Sequence, residues 1–331
     1  MPAHLTRLPL ATLYLTERCN SRCVTCDYWR HGRVDISLAT VEGLLPGFEE
    51  LGTEVVVLSG GEPLIHPEWS SIAELLHGRG IELWLLTSGL SLAKHAARAA
   101  RDFKNITVSL DGADPETYAA IRGVDAFDKV CEGIRRASSL GSAVSLRVTL
   151  QRANYRQLPR FVALARELKV LKVSFLAVDV ASPHAFGRNE NFVSDLALGA
   201  PDLILFEDIL RQLEVDEADA FATSLIAESP AKLRRILQYF AAVQGGGPYP
   251  QVRCNAPEFS AVIGASGQVQ PCFFITGPAP PPVSHAAPQH DLKSVLNSEP
   301  MTSLRSSIRA GARRECKTCV CTLYRPEFSP A

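Results

Sequence analysis

The chain has 331 residues, with 34 Lys and Arg against 35 Asp and Glu, a formal net charge of -1, and 46% apolar residues. That length suits one barrel-sized unit with an appendage, or two ordinary domains. Balanced and evenly spread charge argues against a nucleic-acid surface, and no run approaches the roughly 18 apolar residues of a membrane span, so a soluble, cytoplasmic protein with no membrane partner is expected. Met1 to Leu10 hold no sustained apolar run of the kind a secretion signal needs, so the nine cysteines read as ligands before they read as bridges. Arg313-Arg314, the densest basic spot, lies beside Cys316 and suits the offsetting of thiolate charge better than the gripping of phosphate.

From residue 11 to about 179, short apolar strands alternate with amphipathic helices six times, the pattern of a parallel sheet wound by right-handed crossovers. Strands are expected over 11–18, 54–59, 82–88, 105–111, 144–151 and 170–178. Cys19, Cys23 and Cys26 lie on the loop leaving the first strand, and three thiolates in eight residues suit a metal or a disulfide set. A zinc site would look to His31 for its fourth ligand, whereas an iron-sulfur cube with three protein ligands leaves one iron open. Ser37 is the expected N-cap of a helix with the stripe Val41, Leu44, Leu45 and Phe48, kinked at Pro46 and ended by Gly52.

After the second strand, Gly60-Gly61-Glu62-Pro63 combines two glycines that permit close backbone approach to a ligand with a carboxylate that can accept from an ammonium. Taken alone, it is an ordinary strand-to-helix turn. Ser88 sits in the turn that ends the third strand. In the fourth, Ile106, Val108 and Leu110 face one way and Thr107, Ser109 and Asp111 the other; in the fifth, Val144, Leu146, Val148 and Leu150 oppose Ser145, Arg147, Thr149 and Gln151. The apolar sets meet the helices, so the polar sets face the lumen, where a guanidinium such as Arg147 needs an anion, from a ligand or from Asp111 or Glu62. Cys131 reads as a buried core residue, and Phe161, Leu164, Ala165 and Leu168 as a helix stripe.

Residues 180 to 250 suggest three helices: one through Leu203, Phe206, Leu210 and Leu213, one with Phe221 and Leu225, and one starting at Ser229-Pro230 and running through Leu233, Ile236, Leu237 and Phe240. They read as a packed spacer closing the side of the barrel, or as a substrate lid. Gly245-Gly246-Gly247-Pro248 marks a boundary, which gives divisions at 8–180, 181–250 and 251–331. A hairpin is expected from Ser260–Ile263 to Gln268–Gln270, and a surface loop from Pro278 to Pro288. Cys254, Cys272 after Gly267, Cys316, Cys319 and Cys321 form a second ligand set, suited to a cluster or to zinc.

The Cys-x3-Cys-x2-Cys loop after a first strand resembles that of the radical S-adenosylmethionine (SAM) enzymes. That resemblance implies an α/β fold, the open, partial (β/α)6 TIM-type barrel, with Cys19, Cys23 and Cys26 holding a [4Fe-4S] cluster that coordinates SAM. Where the family places an aromatic before the last cysteine this chain has Thr25, and Tyr28 is the substitute at the adenine edge. By the same resemblance Gly60, Gly61, Glu62 and Pro63 form the element that binds the methionine amino group. Ser109 and Asp111 fall at the ribose-binding strand, Arg147 meets the SAM carboxylate, and Ser88 is a weaker candidate of the same kind. The C-terminal set resembles the Twitch domain, the one-cluster short form of the SPASM domain found in an aminocyclitol dehydrogenase of aminoglycoside biosynthesis. It implies that Cys254, Cys272, Cys316 and Cys319 ligate an auxiliary [4Fe-4S] cluster, with Cys321 spare; too few cysteines follow for the two-cluster form.

The implied activity is one-electron cleavage of SAM to a 5'-deoxyadenosyl radical, fed by a donor such as flavodoxin or ferredoxin, followed by hydrogen abstraction and oxidation of a sugar, aminocyclitol or nucleoside through the auxiliary cluster. A peptide maturase is the competing expectation; only about ten residues precede the first strand, which disfavours a separate peptide-recognition domain. A redox-neutral epimerase or decarboxylase, with Cys321 as hydrogen donor, would also suit these residues, as would a non-catalytic iron-sulfur or zinc scaffold.

Overall fold

The computed structural model describes residues 4–182, 185–188, 194–251, 253–275 and 291–328. The expected surface loop from Pro278 to Pro288 lies outside them. Six parallel strands, β1 (Leu10–Thr16), β2 (Val55–Gly60), β3 (Glu82–Thr87), β4 (Asn105–Ser109), β5 (Ala143–Leu150) and β6 (Lys172–Ala177), pair in sequence order. The chain's β-branched and leucine residues on the covered face, among them Ile106, Val108, Leu146 and Val148, are fully buried beneath the helices. These helices are α1 (Tyr28–His31), α2 (Leu38–Glu50), α3 (Trp69–His77), α4 (Leu92–Asp102), α5 (Pro115–Arg122), α6 (Phe127–Ser139) and α7 (Leu158–Glu167). Ser37 caps α2, its hydroxyl accepting from Thr40 N–H, and α2 runs on through Pro46.

Both edges of this sheet are covered. Beyond β6 come α8 (Ala200–Asp216), α9 (Ala218–Ala222) and α10 (Pro230–Val243), the last capped by Ser229. The second expected helix is short, because Ser224 takes a positive φ of 60° and Leu225 leaves the helix for extended chain. That chain runs along the open edge, with Val173 N–H donating to Leu225 (2.7 Å) and Ala227 N–H to Val173 (2.9 Å), which satisfies edge groups that would otherwise stay bare.

At the other edge the expected hairpin forms as β7 (Ser260–Ile263) and β8 (Val269–Gln270), but it is no separate unit. β7 lies parallel to β1, with Leu10 opposite Ser260 and Leu13 opposite Ile263, so the expected six-stranded sheet has eight strands in the order β6-β5-β4-β3-β2-β1-β7-β8. Two helices that the sequence pattern did not announce follow, α11 (Leu292–Leu296) and α12 (Glu299–Arg309), and then the short α13 (Arg314–Lys317). Leu292 seats on Gly47 of α2, where an added Cβ would stand 2.6 Å from it, and Asn297 exchanges two hydrogen bonds with the Leu5 backbone at 2.7 and 3.0 Å.

Candidate functional site

The register of β1 against β2 shifts between Tyr14 and Thr16, and the chain turns out of the sheet into the cysteine loop. Its two ends are clasped: Glu17 N–H donates to Val34 (2.9 Å), Ile36 N–H to Leu15 (2.8 Å), and Asp35 accepts from Thr16 and from both nitrogens of an Arg18 fork. At its tip, Arg22 N–H donates to the Arg122 carbonyl (2.9 Å) and Val24 N–H to Ile121 (3.0 Å), so the backbone on both sides of Cys23 is pinned to the end of α5. Gly123 makes that approach possible; its φ is +69° and an added Cβ would stand 2.3 Å from the Arg22 carbonyl.

Gly60 and Gly61 lie against the same loop. An added Cβ would come within 2.3 Å of the Thr16 carbonyl at Gly60 and 2.1 Å of the Arg18 carbonyl at Gly61, while Gly61 and Glu62 N–H donate to those carbonyls. The close approach these glycines permit is thus between two loops of the chain. Glu62 is fully buried, and its carboxylate accepts from Leu64 N–H (3.1 Å), the Thr87 hydroxyl (2.7 Å) and Ser88 N–H (2.6 Å). Three donors on a group with about four lone-pair positions leave one for a further donor. Ser88 spends its hydroxyl on Asn20 at 3.1 Å, which ties the third strand's turn to the cysteine loop.

Ser109 and Arg147 are register partners on β4 and β5. Asp111 is 2% exposed and committed: Oδ1 accepts from Thr149 N–H (2.7 Å) and Oδ2 from Arg122 Nη1 (3.1 Å). Arg147 forms no ion pair with Asp111 or Glu62, and its Nε is buried without a partner, as is the whole side-chain amide of Gln151 on the same face.

Burial raises the thiols of the loop, Cys19 to about 11 and Cys26 to about 12, with Cys23 also raised; Cys19 and Cys26 are each raised further by the neighbouring thiols, and Arg122 opposes the rise at all three. A trio of mutually repelling sulfurs, one buried and two half-buried, beside a cation fits a positively charged inorganic centre. Among the described residues no three Cys, His, Asp or Glu side chains converge as closely as ligands of one metal ion do. A cube of iron and sulfide, which takes its ligands at separate corners, needs a wider triangle.

All five C-terminal cysteines line one cavity of about 460 Å3, together with apolar groups such as Tyr249, Phe273, Phe274 and Leu323. Asn255 assembles it: its N–H donates to Leu323 (3.0 Å), its amide to the Arg325 carbonyl (2.7 Å), and Arg325 N–H back to its oxygen (2.9 Å), which draws Cys254 and Cys321 together. Burial pushes Cys272 up to about 11 and raises Cys316, Cys319 and Cys321 as well. Cys321 N–H donates to the Cys319 sulfur at 3.4 Å, and Arg147 and Lys232 counter the rise at Cys321.

Tyr14 stands between the two sites. Its ring meets Tyr28 edge-on at 5.9 Å and Phe273 in a stack at 6.5 Å, so a residue two places beyond Cys26 and the neighbour of Cys272 pack on the same side chain. Burial, then Tyr28, Cys26 and, most weakly, Cys272 raise its hydroxyl well above the ordinary tyrosine value. Tyr28 itself is pushed to about 12 by burial and by Cys26. Sequence pattern alone did not single out Tyr14 or Arg122; an Arg-Gly pair ending a helix eleven residues after Asp111 was the available signal for the second.

Residues 13–165 match the Radical SAM superfamily and residues 254–320 the iron-sulfur cluster-binding domain SPASM. The Fe-coproporphyrin III synthase of Methanosarcina barkeri is 29% identical over 217 residues, 62% of this chain and 54% of that protein. The GTP 3',8-cyclase of Haemophilus influenzae is 32% identical over 165 residues, 47% of this chain and 49% of that protein. The chain thus spans about half the length of the curated relatives it matches. Among solved structures, Streptococcus suis SuiB bound to S-adenosylmethionine superposes with a TM-score of 0.66 at 17% identity, covering 97% of this chain and 74% of that one. The two matched segments fall on the two cysteine sites, and the chain belongs to the radical SAM superfamily, with a SPASM-like auxiliary cluster domain at its C-terminal end.

Proposed function

We propose that the protein is a radical SAM oxidoreductase acting on a small molecule of the sugar, aminocyclitol or nucleoside type. The family's cofactors, [4Fe-4S] clusters and SAM, supply a 5'-deoxyadenosyl radical when bound and reduced by an external one-electron donor. Cys19, Cys23 and Cys26 hold the first cluster, and Glu62 accepts the SAM ammonium on its remaining lone pair, with Gly60, Gly61 and Pro63 fixing that turn. Ser109 and Tyr28 flank the nucleoside, and Arg147, whose Nε lacks a partner, receives the SAM carboxylate. Asp111, with both oxygens engaged, positions Arg122 and the end of β5 and leaves the ribose to Ser109.

The observation that carries an oxidative outcome is Tyr14, which packs residues of both cysteine sites on one side chain, so the two centres share one wall of the barrel. Cys254, Cys272, Cys316 and Cys319 then form a complete ligand set with no corner for substrate, a set suited to accepting the electron that a deprotonated substrate radical gives up.

The test is anaerobic turnover in deuterated water with SAM, dithionite and a panel of sugars, aminocyclitols, nucleosides and short peptides. A small-molecule product two mass units below its substrate, free of carbon-bound deuterium, is expected. Reaction with peptides alone would assign a maturase. Deuterium on the reacting carbon, lost together with product in a Cys321→Ala variant, would assign epimerisation.

A further inference from the structure

Arg122 is the last residue of α5, 9% exposed, and fixed from both ends. Its carbonyl receives Arg22 N–H, one residue from Cys23, and its Nη1 lies 3.1 Å from Asp111 Oδ2. Asp111 is in turn anchored by Thr149 N–H at 2.7 Å, and its carbonyl by the Asn154 amide at 2.8 Å. A guanidinium so held cannot swing away. Its Nε stays buried with no partner, and its backbone is bonded to the cysteine loop one residue from Cys23.

A single carboxylate accounts for one ion-pair contact of this cation. Its Nε–H is unspent, Tyr118 is its other polar neighbour, and the residue itself is bonded to the cysteine loop beside Cys23. A buried arginine with an unspent donor costs free energy unless something anionic completes it. A cluster ligated by three thiolates is such an anion, and it becomes more negative by one charge when it takes up an electron. A fixed positive charge in a medium of low dielectric favours that more negative state, and hydrogen bonds to the sulfurs act in the same direction.

We infer that Arg122, paired with Asp111, is a positioning residue that sets the reduction potential of the cluster held by Cys19, Cys23 and Cys26. The guanidinium raises the potential, and the Asp111 carboxylate limits how far. The step concerned is the gain of one electron from an external low-potential reductant; no bond forms or breaks and no proton is required. The inference rests on the cluster assignment proposed above.

The experiment is a redox titration of anaerobically reconstituted holoenzyme against dithionite-poised mediators, following the EPR signal that added SAM perturbs. It compares wild type with Arg122→Lys, Arg122→Gln and Asp111→Asn, and iron is counted in each. Removing the cation in Arg122→Gln is expected to move the midpoint to a more negative potential. Removing the counter-charge in Asp111→Asn is expected to move it to a less negative one, and Arg122→Lys should stay nearest to wild type. Shifts of opposite sign at full iron content are the signature, because a residue that only braces the loop would move both variants the same way or not at all. Unmoved potentials in loaded Arg122→Gln and Asp111→Asn overturn the inference, as does loss of iron in both. If only Arg122→Gln fails to load, the sign of the Asp111→Asn shift decides. A wild-type protein without any SAM-perturbed signal would instead sink the functional reading itself.

Discussion

Cys19, Cys23 and Cys26 reach their places along eight consecutive residues, whereas Cys254, Cys272, Cys316, Cys319 and Cys321 are gathered from three separate segments around one cavity. The first loop is braced from outside, by Arg122, Ile121 and the clasp at Thr16 and Asp35. The second is braced by its own chain, through Asn255 and the tail from Leu323 to Arg325. A site carried on contiguous sequence can be short and still depend on the whole barrel. A dispersed site needs more cysteines and its own knots, and here it also leans on the sheet, since Leu10, Thr12 and Ser260 to Val262 line its cavity.

The strongest way to break this comparison is to remove the first trio. Cys19→Ala with Cys23→Ala and Cys26→Ala should abolish formation of 5'-deoxyadenosine and leave about four of about eight irons per chain, those of the second site. Zinc in place of that remaining iron would end the auxiliary-cluster assignment. The next effect sharpens the ligand count at the second site, where five cysteines share one cavity. Cys319→Ser should cost about four irons and Cys321→Ser none; the opposite pattern would exchange their roles.

Two smaller changes probe the braces. Gly61→Ala places a methyl group 2.1 Å from the Arg18 carbonyl and should cost about 3 kcal/mol in thermal stability, with iron lost from the first site before the second. An unchanged melting temperature would mean that the two loops can part without harm. Asn255→Ala removes the hydrogen bonds to Arg325 and should cost about 1 to 2 kcal/mol. Its effect should fall on the second site, as faster amide exchange over residues 321–325 and quicker loss of iron to a chelator. Equal loss from both sites would show that they are not independently braced.

How legible each site was in the sequence follows from the same contrast. The three N-terminal cysteines, Glu62 and the alternation along β4 and β5 are local patterns, and a local pattern survives reading in one dimension. Strand ends fall within two residues of the expected ones for the same reason, Thr16 included, where a bulge ends β1 early; the positive φ at Ser224 instead cuts short an expected helix. What local pattern could not carry is pairing across long separations. Nothing in Ser260–Ile263 says that it lies along β1, and nothing near Asp111 says that Arg122 pairs with it. The glycines after β2 were read for a ligand, yet the atoms they admit belong to Thr16 and Arg18.

The place of β1 between β2 and β7 has a consequence for the order in which the chain can finish folding. β1 is made before both of its neighbours, and the second of them begins 250 residues later, from Leu10 to Ser260. At roughly 5 to 20 residues per second of synthesis, one flank of β1 waits on the order of 10 to 50 seconds for its partner. Through that interval the hydrogen-bonding groups of Leu10 to Leu13 are an open template for strands of other chains. Ribosome-stalled chains ending before Ser260 should therefore be more readily cleaved by protease near β1 than chains ending beyond Gln270, and equal protection would show that something else covers that flank first.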